Sequence, residues 1–363
     1  MKILFLTDGL APFVIGGMQQ HSTMMVKHLA PLVEEITVMH CGYRNESPAS
    51  DSDVLGVLGA PSNVSVIGSI FKDHSSFPGH YVRASKKYSL NLYNTISNDL
   101  SSFDVLYAQG FTGYAFIGKH KKLVTNLHGL NMFQKSFTVM EMLEKRILRS
   151  ISKHILVNSD YSISLGGILT DILIKLGVKK IIVCPNGIEH RYILESRTKN
   201  VGGLMFLFIG RNDKAKGFSM LLEALKMIKT AKNVRVIGPL PENKIRPHLI
   251  TYLGEIKSKD QIFELIDTSD VLVVPSLSEG MPTVILEAMA RGKAVIATDV
   301  GAVSELVSEE NGVLIQAGSV EELSNALTRI SKDDLHRAEM FSIQKAKNLT
   351  WERVIGNLLK ELI

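Results

Sequence analysis

Two carboxylates, Glu279 and Glu287, lie eight positions apart in the stretch SEGMPTVILEAMARG, directly after the apolar run DVLVVPS. Pro282 suits the first position of a helix, and Gly292 suits its close after Arg291. Glu279 then falls in the loop before the helix, and Glu287 about a turn and a half inside it. That separates them by roughly 10 Å at ~1.5 Å per helical residue, a distance matched to the two ends of one extended ligand. Backbone amides near Met281 and Thr283 lie between the acids. A second stretch, FIGRNDKAKG, sets Arg211 and Lys216 after a very apolar run. A guanidinium fork and an ammonium point charge together suit a diphosphate leaving group. A third, TDGLAPFVIGGMQQH, places Gly16 and Gly17 just before a helical pattern, where a close backbone approach and free amides favour a phosphate. Acids for hydroxyls, with cations and amides for phosphates, describe a nucleotide-sugar.

The elements that must position these residues alternate. KILFLT reads as a strand and MQQHSTMMVKHLA as a helix, followed by ITVMH as a strand. FDVLYAQG, KLVTNLHG, HILVNSD and IIVCPNG are short apolar runs closed by Gly, Asn or Asp, the form of buried parallel strands. After Asn186 the series restarts with LMFLFIGR, NVRVIG, ITYLG, DVLVVPS, AVIATD and GVLI. Two such series predict an α/β protein with two doubly wound, Rossmann-like domains. Ligands then bind beyond the carboxyl ends of the strands, in a cleft between the two sheets. The boundaries fall at 1–185, 186–345 and a closing helix over 346–363.

A chain of 363 residues with 45% hydrophobic and 21% charged residues has an ordinary globular composition. Cys41 and Cys184 show no metal-like spacing and read as reduced thiols of a cytoplasmic protein. The apolar start is interrupted by Asp8 and reads as a first strand rather than a signal-peptide core. The net charge of +5 is one-sided. Residues 1–185 carry 18 Lys and Arg against 13 Asp and Glu, whereas residues 186–363 carry 23 of each. An anionic partner for the first domain follows from that asymmetry. Asp51 and Asp53 form an Asp-x-Asp pair, read here as part of a Ser/Asn/Pro-rich surface loop. No His-x-x-x-His pair suggests zinc, and no Gly-x-Gly-x-x-Gly follows a strand to suggest NAD.

SEGMPTVILEAMARGKAVIATDVGAVSELV resembles the signature of retaining glycosyltransferases of family 4, which have the GT-B fold. The resemblance covers nearly the whole chain. It includes Gly16-Gly17 with Gln20-His21, the loop NLHG around His128, CPNGIE, and GRNDKAKG. Glu189 departs from it, since the family often has Asp there. The resemblance implies catalytic roles for Glu279, His128, Arg211 and Lys216. Glu279 would hold donor-sugar hydroxyls, Glu287 the ribose hydroxyls, and the two cations the departing diphosphate. His128 would sit beside the donor sugar, and Ile256 in LGEI would meet the nucleobase. Gly16, Gly17, Gly210, Gly280, Met281, Pro282 and Thr283 would complete the donor site. The closing helix would cross back to the first domain.

The implied activity is metal-independent transfer of a hexosyl group, with retention, from a nucleoside-diphosphate sugar to a glycan, lipid-linked or small-molecule hydroxyl. UDP is favoured over GDP, and neither a cofactor nor a nucleic-acid partner is expected. The setting would be bacterial-type polysaccharide or glycolipid synthesis in the cytoplasm. Alternatives on the same fold are a nucleotide-sugar 2-epimerase, a phosphorylase-like enzyme and a non-catalytic binding partner. In VMEMLEKRILRSISKH, Lys145, Arg149 and Lys153 recur every four residues, while Met140, Leu143, Ile147 and Ile151 lie toward the other side. This segment reads either as a basic amphipathic helix resting on anionic headgroups at the cytoplasmic face of a membrane or as an ordinary solvated face over a core stripe.

Overall fold

The computed structural model describes residues 1–73, 79–136, 138–195, 203–229, 233–241 and 250–363. The chain divides into two compact units. One comprises Met1–Leu165, Leu169–Cys184 and Trp351–Ile363, and the other Gly166–Ile168 and Pro185–Thr350.

In the first unit, parallel strands β1 (Lys2–Leu6), β2 (Glu35–Cys41), β3 (Val64–Ser69), β4 (Val105–Gln109), β5 (Leu123–Asn126), β6 (Tyr161–Ser164) and β7 (Ile181–Val183) pair in the order β3-β2-β1-β4-β5-β6-β7. Helices α1 (Gly17–Leu29), α2 (Asp51–Leu58), α3 (His80–Ile96), α4 (Val139–Asn158) and α5 (Ile168–Leu176) connect them. The order reverses between β1 and β4, which pair directly, so the loops after these two strands flank the sheet's switch point. One face of the sheet buries Ile3, Phe5, Val38 and Tyr107 against Met25 and Leu29 of α1. The other buries Leu4, Leu6 and Leu106 against Tyr88 and Leu92 of α3. Apolar residues on both faces explain why the strands read as continuous apolar runs rather than alternating ones.

The second unit repeats the plan. Strands β8 (Met205–Ile209), β9 (Asn233–Ile237), β10 (Ile250–Tyr252), β11 (Val271–Val274), β12 (Ala294–Thr298) and β13 (Gly312–Ile315) pair in the order β10-β9-β8-β11-β12-β13. The helices are α6 (Phe218–Met227), α7 (Lys259–Asp267), α8 (Thr283–Ala290), α9 (Val320–Arg329) and α10 (Lys332–Asn348). Here the switch point lies between β8 and β11, paired through Val271 with Phe206 and Leu272 with Leu207. The last helix, α11 (Trp351–Leu362), joins the core of the first unit through Trp351, Val354, Ile355, Leu358 and Leu362. The closing element therefore starts five residues later than the sequence suggested, because a capping box at Ser331 launches α10, which runs on to Asn348.

Three readings change. HILVNSD is not a strand. Thr138 caps α4, and Ile151, Ile155 and Leu156 extend its buried side to Asn158, so the strand begins only at Tyr161. Asp51 and Asp53 lie in the first turn of α2 rather than in a loop. The Ser50 hydroxyl accepts from the Asp53 amide and donates to the Asp53 carboxylate, and acids there complement the helix dipole. Met140, Leu143 and Ile147 are exposed rather than core.

The turn between β8 and α6 depends on Gly217. Its φ is +69°, and a Cβ there would stand 1.8 Å from the Pro275 carbonyl oxygen. Gly217→Ala combines left-handed strain with a backbone clash and should cost about 3 kcal/mol. A urea midpoint equal to that of the wild-type protein would show that the turn does not require glycine.

Candidate donor site and histidine cluster

In the second unit, the loops after β8 and β11 meet because their strands are neighbours. Glu279 follows β11 and is buried. Its Oε1 accepts 2.7 Å hydrogen bonds from the Lys216 ammonium, at the end of the β8 loop, and from the Ser276 hydroxyl. The two groups singled out for different tasks, sugar hydroxyls and diphosphate, are thus brought together as an ion pair. Gly301 holds the Glu279 loop against the segment after β12. Its φ is +59°, and a Cβ would lie 2.4 Å from the carbonyl oxygens of both Glu279 and Gly280. The Ala302 amide donates to the Gly280 carbonyl, and the Asn186 side-chain amide to the Met281 carbonyl, at 2.8 and 2.9 Å. Gly210 sits where the β9 end comes close, since a Cβ on Gly238 would meet the Gly210 carbonyl at 1.9 Å. Arg211 is exposed beyond it.

Helix α8 starts at Thr283. Pro282, the residue before it, offers no side-chain cap, and the first turn carries no acid. Its leading amides form the partial positive end of the helix, with no competing carboxylate from that turn. Glu287, in the same helix, is buried and accepts a short hydrogen bond from the Lys259 ammonium at the start of α7. Burial raises its pKa, while the Lys259 charge opposes that rise. Ile256 lies half-buried between β10 and α7, in the approach to Lys259. Sequence reading missed Lys259 and Gly301, which hold the acids and their loop from distant segments, and Ser276, three residues before Glu279 in the same loop.

In the first unit, Gly16 precedes α1 and Gly17 opens it. A Cβ on Gly16 would lie 2.1 Å from Gln19 Oε1, whereas one on Gly17 would meet open space. Gln19 Nε2 donates to Asp8 Oδ1 at 3.0 Å, and the Tyr81 hydroxyl to Asp8 Oδ2 at 3.3 Å. Burial pushes the Asp8 carboxyl up to about 6 despite these bonds. Asp8, Gln19, Arg44 and Tyr81 line a cavity of about 610 Å³ at the carboxyl ends of β1 and β2.

His128 follows β5, with φ +57° and its amide donating to Asn126 Oδ1 at 2.8 Å. Gln109, the last residue of β4, fixes the direction of a buried chain. Its amide nitrogen donates to His21 Nδ1 at 3.1 Å, and its carbonyl oxygen accepts from His128 Nε2 at 2.7 Å. Both rings therefore carry their proton on Nε2, and among the described residues His21 Nε2 has no hydrogen-bond partner. The rings pack edge to face at 4.6 Å, with Trp351 edge-on to His21 at 5.4 Å. Burial lowers the His128 pKa to about 4 and that of His21 well below the usual imidazole value. Gln109 could have been noticed as a polar residue ending the apolar run VLYAQ.

Lys145 does not lie on an outward basic face. It is buried, paired with Glu141 at 2.7 Å and bonded to the Lys135 carbonyl, while Arg149 and Lys153 are exposed.

Residues 203–333 match the family model described as glycosyl transferases group 1. The chain is 32% identical over 137 residues to the putative teichuronic acid biosynthesis glycosyltransferase TuaC of Bacillus subtilis, covering 37% of this chain and 34% of that one. It thus spans about a third of that relative's length. Sucrose-phosphate synthase from Thermosynechococcus elongatus superimposes with a TM-score of 0.77 at 17% identity, over 99% of this chain and 98% of that one. Anabaena HepE in complex with UDP-glucose does so with a TM-score of 0.67 at 19% identity, over 99% and 100%. The fold is GT-B.

The histidine cluster predicts acid lability. Because the folded pKa of His128 lies below its unfolded value, its contribution to stability is complete above about pH 6.5 and is lost as pH falls through about 4. Stability measured by urea denaturation should decline across that window, and His128→Gln should flatten the decline. Equal slopes for the two proteins would remove His128 as a cause.

Proposed function

We propose that this chain, whose residues 203–333 carry the glycosyl transferases group 1 domain, is a retaining glycosyltransferase. It moves a hexosyl group from a nucleoside-diphosphate sugar to a hydroxyl of a glycan, a lipid-linked sugar or a small molecule. The observation that carries this reading is the Lys216–Glu279 pair beside the side-chain-uncapped start of α8, with Glu287 farther along the same helix. An ammonium and a row of amides meet a diphosphate, while two carboxylates accept from sugar and ribose hydroxyls.

In the reaction the bond between the anomeric carbon and the phosphate oxygen breaks, and its electron pair leaves with the diphosphate. The acceptor oxygen bonds to that carbon on the same face and passes its proton to the departing phosphate oxygen. Negative charge grows on the leaving oxygen, where the Lys216 charge and Arg211, from the same loop after β8, stabilise it. With Lys216 held by Glu279 before the donor arrives, the cation needs little reorganisation at that moment. Two cations serve the leaving group without a divalent metal. Glu287 takes the ribose while Lys259 offsets its buried charge. Of the first unit, His128 is assigned to the donor sugar as a neutral ring.

UDP is the favoured nucleotide, in keeping with the UDP-glucose bound by HepE. TuaC, named for teichuronic acid biosynthesis, supports a place in polysaccharide or glycolipid synthesis. We assign the protein to the cytoplasm, at or near the membrane that carries such acceptors. Among the described residues no helix is long and apolar enough to cross a membrane.

Sugar transfer from UDP- and GDP-sugars, assayed with hydroxyl acceptors, tests the reading. Glu279→Gln should lower transfer roughly ten- to a thousand-fold with nucleoside diphosphate binding nearly intact. Wild-type turnover by that variant would sink the assignment. Transfer should also survive EDTA. Complete loss with rescue by Mg²⁺ or Mn²⁺ would place a metal at the leaving group instead.

A further inference from the structure

The Glu287 carboxyl is met by a cation whose own position is fixed twice. Ser258 caps α7, its hydroxyl accepting from the Gln261 amide at 3.4 Å, which makes Lys259 the first residue of the helix. The Lys259 ammonium donates to Glu287 Oε1, and among the described residues no hydrogen bond reaches Oε2. The glutamate side chain is 8% exposed and the lysine 45%, so the lysine is the solvent-side member of the pair. One turn along α7, buried Phe263 sets its ring centre 5.5 Å from the ammonium, within range of a cation–π attraction.

Phe263 is held in turn. Tyr192 stacks on it at 4.2 Å, with 14° between the ring planes. The Tyr192 backbone is fixed to the end of α8. Arg291 Nη1 donates to its carbonyl at 3.1 Å, and the Leu194 amide donates to the Ala290 carbonyl at 2.9 Å. Arg291 also pairs with Asp267, the last residue of α7, and its Cζ lies 5.4 Å from the Phe263 ring centre. Helix α7 is thus tied to α8 at both of its ends, through Lys259 to Glu287 and through Asp267 to Arg291. Charge balance alone would need no such frame, since a flexible surface lysine could supply it. A frame of this kind fixes where the ammonium stands.

We propose that Lys259 is a positioning residue for the nucleotide: by holding Glu287 Oε1 it orients the carboxyl, so that Oε2 and the remaining lone pair of Oε1 accept from the two ribose hydroxyls. The assignment rests on the reading of Glu287 as the ribose acid. Charge adds a second effect. Burial raises the Glu287 pKa, and the Lys259 charge opposes the rise. Nearby charges on the flanking segments pair with one another, Arg291 with Asp267 and Lys216 with Glu279, and Asp260 is exposed at the head of α7. Without Lys259 the buried carboxyl binds a proton at a higher pH, and a protonated carboxyl accepts fewer hydrogen bonds. Nucleotide affinity then falls as pH drops through that raised value, whereas in the wild-type protein the fall begins at lower pH.

Calorimetric titration with UDP and GDP from about pH 5 to about pH 8 tests it. Lys259→Met should weaken the preferred nucleotide roughly tenfold near neutral pH and bring in a loss of affinity on mild acidification. Lys259→Gln, a second neutral variant that can still donate to Oε1, should show the same acid loss. Lys259→Arg should restore most of the affinity and the wild-type profile. In a Glu287→Gln background, Lys259→Met should change affinity by less than about twofold, because the two residues act as a unit. Neutral variants that bind as the wild-type protein does at every pH overturn the proposal and leave the donor site in place. So does an equal loss in the two backgrounds, which would make Lys259 a direct contact of the diphosphate. A wild-type protein that binds neither nucleotide overturns the donor reading and this proposal together.

Discussion

The site in the second unit rests on one buried charge and its neutralisation. Glu279 is withdrawn from water at the end of a central strand, where an unpaired carboxylate would be costly. Lys216 and Ser276 reach the same oxygen, so the buried carboxyl is met by a cation and a hydroxyl. This is feasible because β8 and β11 are neighbours at the switch point, so their following loops converge. The glycines follow from that convergence. Gly217 lets the β8 loop pass the Pro275 carbonyl, and Gly301 lets the β12 loop press on the carbonyls of Glu279 and Gly280.

The two units treat buried ionisable groups differently. Around His21, Gln109 and His128, burial suppresses protonation, and a single amide sets both tautomers. Around Glu279 and Glu287, lysines from other segments pair with the buried carboxyls. A neutral donor–acceptor chain suits orientation, because its strength changes little with salt. Paired charges suit a ligand that is itself charged, because an incoming diphosphate can share a lysine already oriented by its carboxylate.

Much of this was legible in the sequence where a residue's role is local. Parallel strands buried on both faces announce themselves as apolar runs, and eleven of the twelve runs read as strands contain one. HILVNSD failed because a short apolar run at the end of a helix has no period of its own, and the cap that decides it, Thr138, lies far upstream. Glu279 and Glu287 stood out by spacing within one segment. Lys259 did not, since its importance is a matter of which segments the strand order brings together. No local pattern carries that information.

Helix α4 shows the same limit in a sharper form. Its pattern contains two stripes at four-residue spacing, one apolar and one basic, and the ordinary rule assigns the apolar one to the core. The inner side instead runs from Lys145 to Ile151, Ser152, Ile155 and Leu156, and in its first turns the Lys145 ammonium is satisfied by carbonyls of the segment just before the helix. Periodicity establishes that a helix is amphipathic but not which side the rest of the fold covers. That choice is made by whether the neighbouring chain offers apolar surface or carbonyl oxygens. Beside the first turns it offers carbonyls, and Met140, Leu143 and Ile147 are left on the outside, whereas Ile151 is buried.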